Sequence, residues 1–99
     1  MIIYIINFIK MFELINNNNV KVTKFFLLPK EETGFHLHKY NYVIIPITSG
    51  ELTIIDKNKV KTKSIIKKGE PYYKDLGVEH NVINETNSDI IFIEVEIKK

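Results

Sequence analysis

The sequence predicts an all-β fold, a small antiparallel β-barrel or sandwich, from two regularities along the chain. Turn-forming groups of asparagine, glycine, proline and lysine recur roughly every eight to twelve residues, between runs rich in isoleucine, valine and aromatic residues. Apolar residues do not recur at helical spacing, and the last run alternates, with Ile91, Ile93 and Val95 on one face and Glu94 and Glu96 on the other. Short strands of this kind are typical of barrels and sandwiches.

The predicted strands follow one another from residue 20. Residues 20–28 form the first strand, because β-branched and aromatic side chains suit a pleated sheet, and Pro29 ends it. A charged loop then leads into a short strand that carries His36 and His38. In the strand over residues 42–48, Pro46 marks an edge or a bulge, because proline donates no hydrogen bond. Further strands, separated by polar turns, are predicted at residues 51–56, 60–66, 72–74, 80–83 and 91–97.

The first nine residues are apolar apart from Tyr4 and Asn7. A membrane-spanning helix needs about 20 apolar residues, and a signal peptide needs a positive leader and a small-residue cleavage site, so we expect neither. An extra strand that lies on the sheet or on a partner subunit fits the β-branched content. Alternatively, the native chain starts at Met11. We expect a single domain over residues 1–99, with its barrel at about residues 20–97.

The composition narrows the possible partners. The chain of 99 residues has 44% hydrophobic and 26% charged residues, no cysteine and a net charge of +2, and every basic residue is lysine. It therefore forms no disulfide and offers no thiolate ligand, and the lack of arginine argues against a nucleic-acid partner. We expect a cytoplasmic protein without a membrane contact. We also expect a homodimer, because a small domain with an apolar first strand has exposed edges that a second copy would cover.

Three histidines are the candidate functional residues. Residues at i and i+2 of a strand face the same way, so His36 and His38 present two imidazoles to one point. His80, the third and last histidine, lies in a later predicted strand and would complete the group. Neutral imidazoles are good ligands for transition metals, so a three-imidazole metal site inside the barrel is predicted. The alternative is that the rings bond to one another or to water without a metal.

The spacing around these histidines resembles that of the cupin superfamily, whose members share an RmlC-like jelly-roll barrel. Its first motif places a glycine before His-x-His, then a glutamate, then a second glycine; its second motif runs Gly, Pro-x-Gly, His, Asn. The matching residues here are Gly34, His36, His38 and Gly50 for the first motif and Gly69, Gly77, His80 and Asn84 for the second. Asp75 takes the proline position, and Tyr42 or Val43 takes the glutamate position. The resemblance covers about residues 25–97 and implies a small, single-domain cupin in which the motif glutamate is replaced.

The resemblance implies a divalent metal on His36, His38 and His80. Without the glutamate the site is all nitrogen, which suits iron, zinc, nickel or copper better than manganese. Tyr42 is the candidate catalytic residue: its phenol would donate a hydrogen bond or, if its pKa fell from about 10, act as an acid or base. The alternative for Tyr42 is an aromatic residue that lines the barrel. Glu79 should face away from His80 and is left out of the ligand set.

Four further positions carry structural or binding predictions. Gly77 is expected at a tight turn with positive φ, and Asn84 is expected to cap the turn after its strand. Tyr72 and Tyr73 are consecutive in a predicted strand, so one should line the pocket and the other should be exposed on the surface.

The predicted function is that of a small metal-binding cupin, a dioxygenase- or isomerase-type enzyme that acts on a small, oxygen-rich molecule. The alternative is a non-catalytic module for ligand binding or structure. A metal-free sugar-nucleotide isomerase would need arginines in its pocket, and the chain has none.

Overall fold

A computed structural model describes residues 10–98, which form nine β-strands. The predicted all-β fold is confirmed, and every pair of neighbouring strands is antiparallel. Among the described residues there is no helix that is long and apolar enough to span a membrane. The predictions for residues 1–9 lie outside the described residues. The strands are β1 Lys10–Asn16, β2 Val20–Leu27, β3 His36–Leu37, β4 Asn41–Pro46, β5 Gly50–Asp56, β6 Lys61–Ile66, β7 Tyr72–Lys74, β8 Glu79–Ile83 and β9 Ile90–Ile97.

The strands form two sheets with a shared core. One sheet has five strands in the order β1-β2-β9-β4-β7, and the other has four in the order β3-β8-β5-β6. Strand order differs from chain order in both sheets, because the chain crosses between them after β2, β3, β4, β6, β7 and β8. Alternate residues of each strand point inward, so the two inner faces pack against each other. The buried core residues are Leu27, Tyr42, Ile44, Leu52, Ile66, Val82, Ile90 and Phe92.

The structure differs from the predicted strands at two places. Strand β1 was not predicted; all seven of its residues are exposed, so backbone pairing with β2 holds it rather than a buried apolar face. Met11, the proposed alternative start, lies in β1 opposite Phe25. Strand β4 ends at Pro46 instead of continuing to residue 48. Pro46 pairs with Phe92 of β9 on one side and has no strand partner on the other, so it stands at a local edge of the sheet. It lies beyond Tyr42–Ile44, the part of β4 that pairs with β7, so that pairing does not need the missing N–H.

Two motif glycines have distinct structural roles. Gly77 has a φ of 96°, which confirms the predicted positive φ and explains the need for glycine in the turn before β8. Gly50 begins β5, where a Cβ atom would lie 3.2 Å from Cγ1 of the buried Ile90. Glycine therefore lets the two sheets approach closely at that point.

Candidate metal centre

Strands β3 and β8 bring the three histidines together from distant parts of the chain. His36 and His80 stand directly opposite each other in the β3–β8 pair. His38 follows β3 and is held by two backbone hydrogen bonds: its N–H donates to the carbonyl of Val78 (2.8 Å), and its carbonyl accepts from the N–H of Gly77 (2.8 Å). The tight turn at Gly77 thus positions His38 beside the other two rings.

The three rings converge on one point through their Nε2 atoms. Nε2 of His38 lies 3.0 Å from Nε2 of His36 and 3.1 Å from Nε2 of His80. Ring centroids are 4.7 to 5.0 Å apart, and the rings meet edge to face. His38 is buried, and the other two histidines are half-buried. The structure therefore assembles the trio that the sequence predicted, with no ring turned outward.

Hydrogen bonds at Nδ1 determine which ring nitrogens carry lone pairs. Nδ1 of His36 lies 2.8 Å from the carbonyl oxygen of Gly34, which can only accept, so this nitrogen carries the proton. Nδ1 of His38 lies 3.0 Å from a carboxylate oxygen of Glu94, which likewise accepts. In their neutral forms both rings then direct an Nε2 lone pair toward the other at 3.0 Å. Two such lone pairs repel unless a cation lies between them.

The spacing of these nitrogens fits a shared metal ion. Two imidazole nitrogens bound to one ion at about 2.1 Å are about 3.0 Å apart at neighbouring corners of an octahedron and about 3.4 Å apart at corners of a tetrahedron. The observed separations are 3.0 and 3.1 Å. These two separations suit ligands of one ion, and the donor atoms of all three side chains lie within 4.8 Å of one another.

Burial keeps two of the rings in the neutral form that binds metals. Burial, together with the charges of His36, His38 and Lys74, lowers the pKa of His80 to about 3. Burial also lowers the pKa of His36, although its bond to Gly34 acts in the opposite direction. Neither ring needs to lose a proton at neutral pH before it binds a cation.

Of the two candidates for the motif glutamate position, Tyr42 points into the barrel and Val43 does not. Its ring is buried and stacks on His38, with centroids 3.9 Å apart and planes 16° apart. Val43 follows it on the opposite face of β4. Burial, followed by the charge of Glu94, raises the pKa of Tyr42 above its ordinary value of 10.0. An acid–base role at neutral pH would need a lower pKa, so the phenol stays protonated and is available as a hydrogen-bond donor.

Glu94 is a site residue that sequence reasoning missed. Only 4% of its surface is exposed, and Oε1 lies 3.0 Å from Nδ1 of His38. The alternation of β9 separated Glu94 from its apolar neighbours but did not show which face points inward. In the structure Glu94 shares the inward face with Ile90 and Phe92, whereas Ile91, Ile93 and Val95 lie on the other face. Because those three apolar residues suggest the buried face, a carboxylate on the opposite face would normally be assigned to solvent.

The imidazole cluster borders two cavities. One, of about 250 Å³, lies inside the barrel; its walls are mainly apolar, with the hydroxyls of Thr62, Ser64 and Tyr72 and the ammonium of Lys74 among the polar groups. A second cavity, of about 420 Å³, opens toward β1, and its lining includes Met11, Glu13, Lys21 and Glu96. His36, His38 and Glu94 line both cavities. A small molecule in either cavity would therefore reach the imidazoles.

The remaining predicted positions agree with the structure. Glu79 is exposed and stands opposite Leu37, away from the convergent histidines. Tyr72 lines the inner cavity, whereas Tyr73 is exposed. Asn84 caps the turn after β8: its side chain donates to the carbonyls of Leu27 and Ser88 and accepts from the N–H and hydroxyl of Thr86.

The fold and the site define a small antiparallel barrel with a convergent three-imidazole centre, and comparison with known proteins gives its family. The family described as Cupin domain matches residues 24–96, so the chain belongs to the cupin family. The chain is 37% identical over 84 residues to the β-alanine degradation protein BauB of Pseudomonas aeruginosa, covering 85% of this chain and 87% of that protein.

Two crystal structures show the same fold. A cupin domain from Bordetella pertussis is 37% identical, covers 93% of this chain and 95% of its own, and superposes with a TM-score of 0.89. An RmlC-like cupin from Methanocaldococcus jannaschii is only 18% identical, yet it covers 98% of this chain and 86% of its own with a TM-score of 0.75. The second similarity concerns the fold alone.

Proposed function

We propose that this protein is a metal-dependent cupin whose His36, His38 and His80 hold one divalent transition metal next to a small-molecule cavity. The observation that carries the proposal is the 3.0 Å approach of two Nε2 atoms whose rings donate through Nδ1 to other groups. A bound cation would convert this repulsive contact into a stabilising one. A site of three imidazole nitrogens suits iron, zinc, nickel or copper.

A bound metal would supply Lewis-acid or redox chemistry to a small molecule at its open positions. The protein's own groups would orient that molecule: the Tyr42 phenol donates a hydrogen bond, and apolar walls exclude water from the inner cavity. Its volume of about 250 Å³ is below the roughly 300–1,000 Å³ of pockets for drug-sized ligands, which favours a metabolite of a few carbon atoms. The relative from P. aeruginosa is named for the degradation of β-alanine, a molecule of that size.

Metal analysis tests the proposal. Protein purified without an affinity tag should bind about one equivalent of iron(II), nickel(II) or cobalt(II) after dialysis against the metal. The variant with His36, His38 and His80 all changed to Ala should bind none, and Lys74→Gln, which alters the cavity lining without removing an imidazole, should bind as the wild type does. Equal binding by the wild type and the triple variant would refute the proposal.

Within this function, we propose dioxygenase- or isomerase-type catalysis on a small oxygen-rich substrate. Three nitrogen ligands on one side leave positions for both a chelating substrate and oxygen or water. Oxygen uptake by the iron-loaded protein with a panel of small hydroxy and amino acids tests the first type, and NMR of the same mixtures tests the second. No change with any metal or acid in either assay would contradict catalysis.

The second candidate is a non-catalytic ligand-binding or structural module, and it is favoured by the absence of a carboxylate at Tyr42. Tyr42→Glu restores the motif glutamate inside the barrel, whereas Val43→Glu adds the same charge on the other face of β4 and is the matched control. Wild-type protein that stays metal-free, combined with metal loading of Tyr42→Glu alone, would support this candidate over the first.

We also propose a cytoplasmic homodimer. Strand β1 lies at the edge of its sheet and exposes large apolar side chains, so a second copy would cover both its unpaired backbone and its apolar surface. These side chains are Met11, Phe12, Leu14 and Ile15. Cell fractionation tests the location.

A further inference from the structure

The barrel holds a buried carboxylate although the motif glutamate is absent. Glu94 lies on β9, between Thr23 of β2 and Ile44 of β4, and its side chain points inward. It is only 4% exposed, and its Oε1 lies 3.0 Å from Nδ1 of His38. Strand β4, which carries the motif position at Tyr42, is the direct neighbour of β9. A buried carboxylate therefore lies one strand away from Tyr42, behind the His38 ring.

The surroundings of Glu94 leave its charge without a lysine partner. Among residues 10–98, the ion pairs of the carboxylates join Glu94 to His38 and Glu85 to two surface lysines. A buried carboxylate is costly unless a nearby positive charge and hydrogen bonds compensate for it. The ion that we propose on the far side of the His38 ring would supply that positive charge.

We infer that Glu94 is a positioning residue of the metal centre, acting through His38; the inference rests on the proposed metal site. Its carboxylate keeps the proton on Nδ1 of His38 and so directs the Nε2 lone pair toward the ion. It also offsets part of the ion's charge, which the motif glutamate does elsewhere in the family. Carboxylates behind metal-bound imidazoles have this effect in metalloproteins generally.

Tyr42 and Glu94 hold the same ring in different ways. The Tyr42 ring stacks on the face of His38 at a centroid distance of 3.9 Å and fixes its plane. Glu94 binds the edge of the ring at Nδ1 and fixes its rotation within that plane. Together the two contacts determine where Nε2 lies, so the orientation of His38 is set before a metal arrives.

Metal affinity of matched variants tests the inference. Glu94→Ala removes the contact, Glu94→Gln keeps an acceptor oxygen but removes the charge, and Glu85→Gln, which removes a carboxylate that pairs with surface lysines outside both cavities, is the control. Cobalt(II) dissociation constants come from competition with a chromophoric chelator. We expect about 10- to 100-fold weaker binding for Glu94→Ala, a smaller loss for Glu94→Gln and less than about a 2-fold change for Glu85→Gln.

Two spectroscopic measurements separate positioning from a purely structural role. The visible spectrum of bound cobalt(II) should change in Glu94→Ala, because the ring is no longer held, and should be restored toward wild type in Glu94→Gln. Long-range ¹H–¹⁵N NMR of the metal-free protein should show the Nδ1–H form of His38 in the wild type and in Glu94→Gln. In Glu94→Ala it should show a mixture of both tautomers.

The possible failures are distinguishable. If the wild type binds cobalt and Glu94→Gln and Glu94→Ala bind it as tightly with the same spectrum, the positioning role is refuted and the metal site stands. If Glu94→Ala does not fold, Glu94→Gln decides: wild-type cobalt affinity in Glu94→Gln overturns the contribution of the Glu94 charge, and a loss of affinity that Glu85→Gln does not show supports it. A wild-type protein that binds no cobalt, nickel or iron overturns the metal site and the positioning role together.

Discussion

Acid should destabilise the metal-free protein through its buried histidines, and His80 should account for much of the effect. Its pKa is about 3 in the folded protein, against 6.5 for an ordinary histidine. Between these values the unfolded chain binds a proton that the folded protein does not bind. Stability is therefore complete above about pH 6.5 and is lost as the pH falls from 6.5 toward 3.

The expected size of the effect follows from the pKa difference. A histidine that stays neutral in the folded state and titrates at about 6.5 when unfolded changes the free energy of unfolding by about 1.4 kcal/mol between pH 7.5 and 5.5. The His80 ring is partly exposed, so solvent screening reduces its share to roughly 1 kcal/mol. With a urea m-value of about 1–3 kcal/mol/M, this share lowers the midpoint by roughly 0.3–1 M. His36, whose pKa is also lowered by burial, adds a loss of the same sign.

Urea unfolding at pH 7.5 and 5.5 in the presence of a chelator measures this loss. We expect His80→Gln to lose less stability between the two pH values than the wild type, by roughly 1 kcal/mol. Glu85→Gln is the control: hydrogen bonds from Thr53, Lys63 and Lys61 lower the pKa of Glu85 to about 2, so this carboxyl stays ionised over the whole range. An equal pH-dependent loss in the wild type and His80→Gln would refute the reasoning.

Three further predictions concern the fold, the His38 stack and the assembly. Asn84→Ala removes four side-chain hydrogen bonds at a fully buried position and should lower the free energy of unfolding by about 3–4 kcal/mol. Urea titration measures this loss, and a value below about 1 kcal/mol would contradict the capping role. Tyr42→Phe keeps the aromatic stack on His38 and should bind cobalt(II) as tightly as the wild type, whereas Tyr42→Ala should bind it more weakly in the chelator competition assay. Equal affinities of the two variants would show that the stack does not orient the His38 ring. In sedimentation, the full chain should be a dimer and a chain that begins at Met11 should dissociate more readily, whereas unchanged mass in both would exclude a role for residues 1–10 in assembly.

The sequence predicted those features that depend on local pattern. Strands such as β2 and β9 were recognisable because β-branched runs stand between clear turns, and their bounds agree with the structure to within one residue. The histidine trio was predictable because His36 and His38 share a strand face and His80 lies at the spacing of a known motif. In both cases the prediction needed only residue types and their spacing along the chain, and not the pairing between distant strands.

The features that depend on the register between distant strands were not predictable. Glu94 reaches His38 only because β9 pairs with β4 in one particular register, and no local pattern indicates that register. The sequence also left open which of Tyr42 and Val43 points into the barrel, and the pairing of β4 within its sheet decides this. Strand β1 was missed for another reason: it is exposed and gains its order from pairing with β2, so it lacks the buried apolar face on which strand prediction depends.

X-ray absorption spectroscopy of the protein loaded with iron(II) or cobalt(II) tests the central claim most directly, because it counts the imidazoles bound to the ion. We predict three imidazole nitrogens at about 2.0–2.2 Å in the wild type, two in His80→Gln, and oxygen ligands at the other positions. Two or fewer imidazoles in the wild type, or a spectrum that is the same in His80→Gln, would contradict a centre built from His36, His38 and His80.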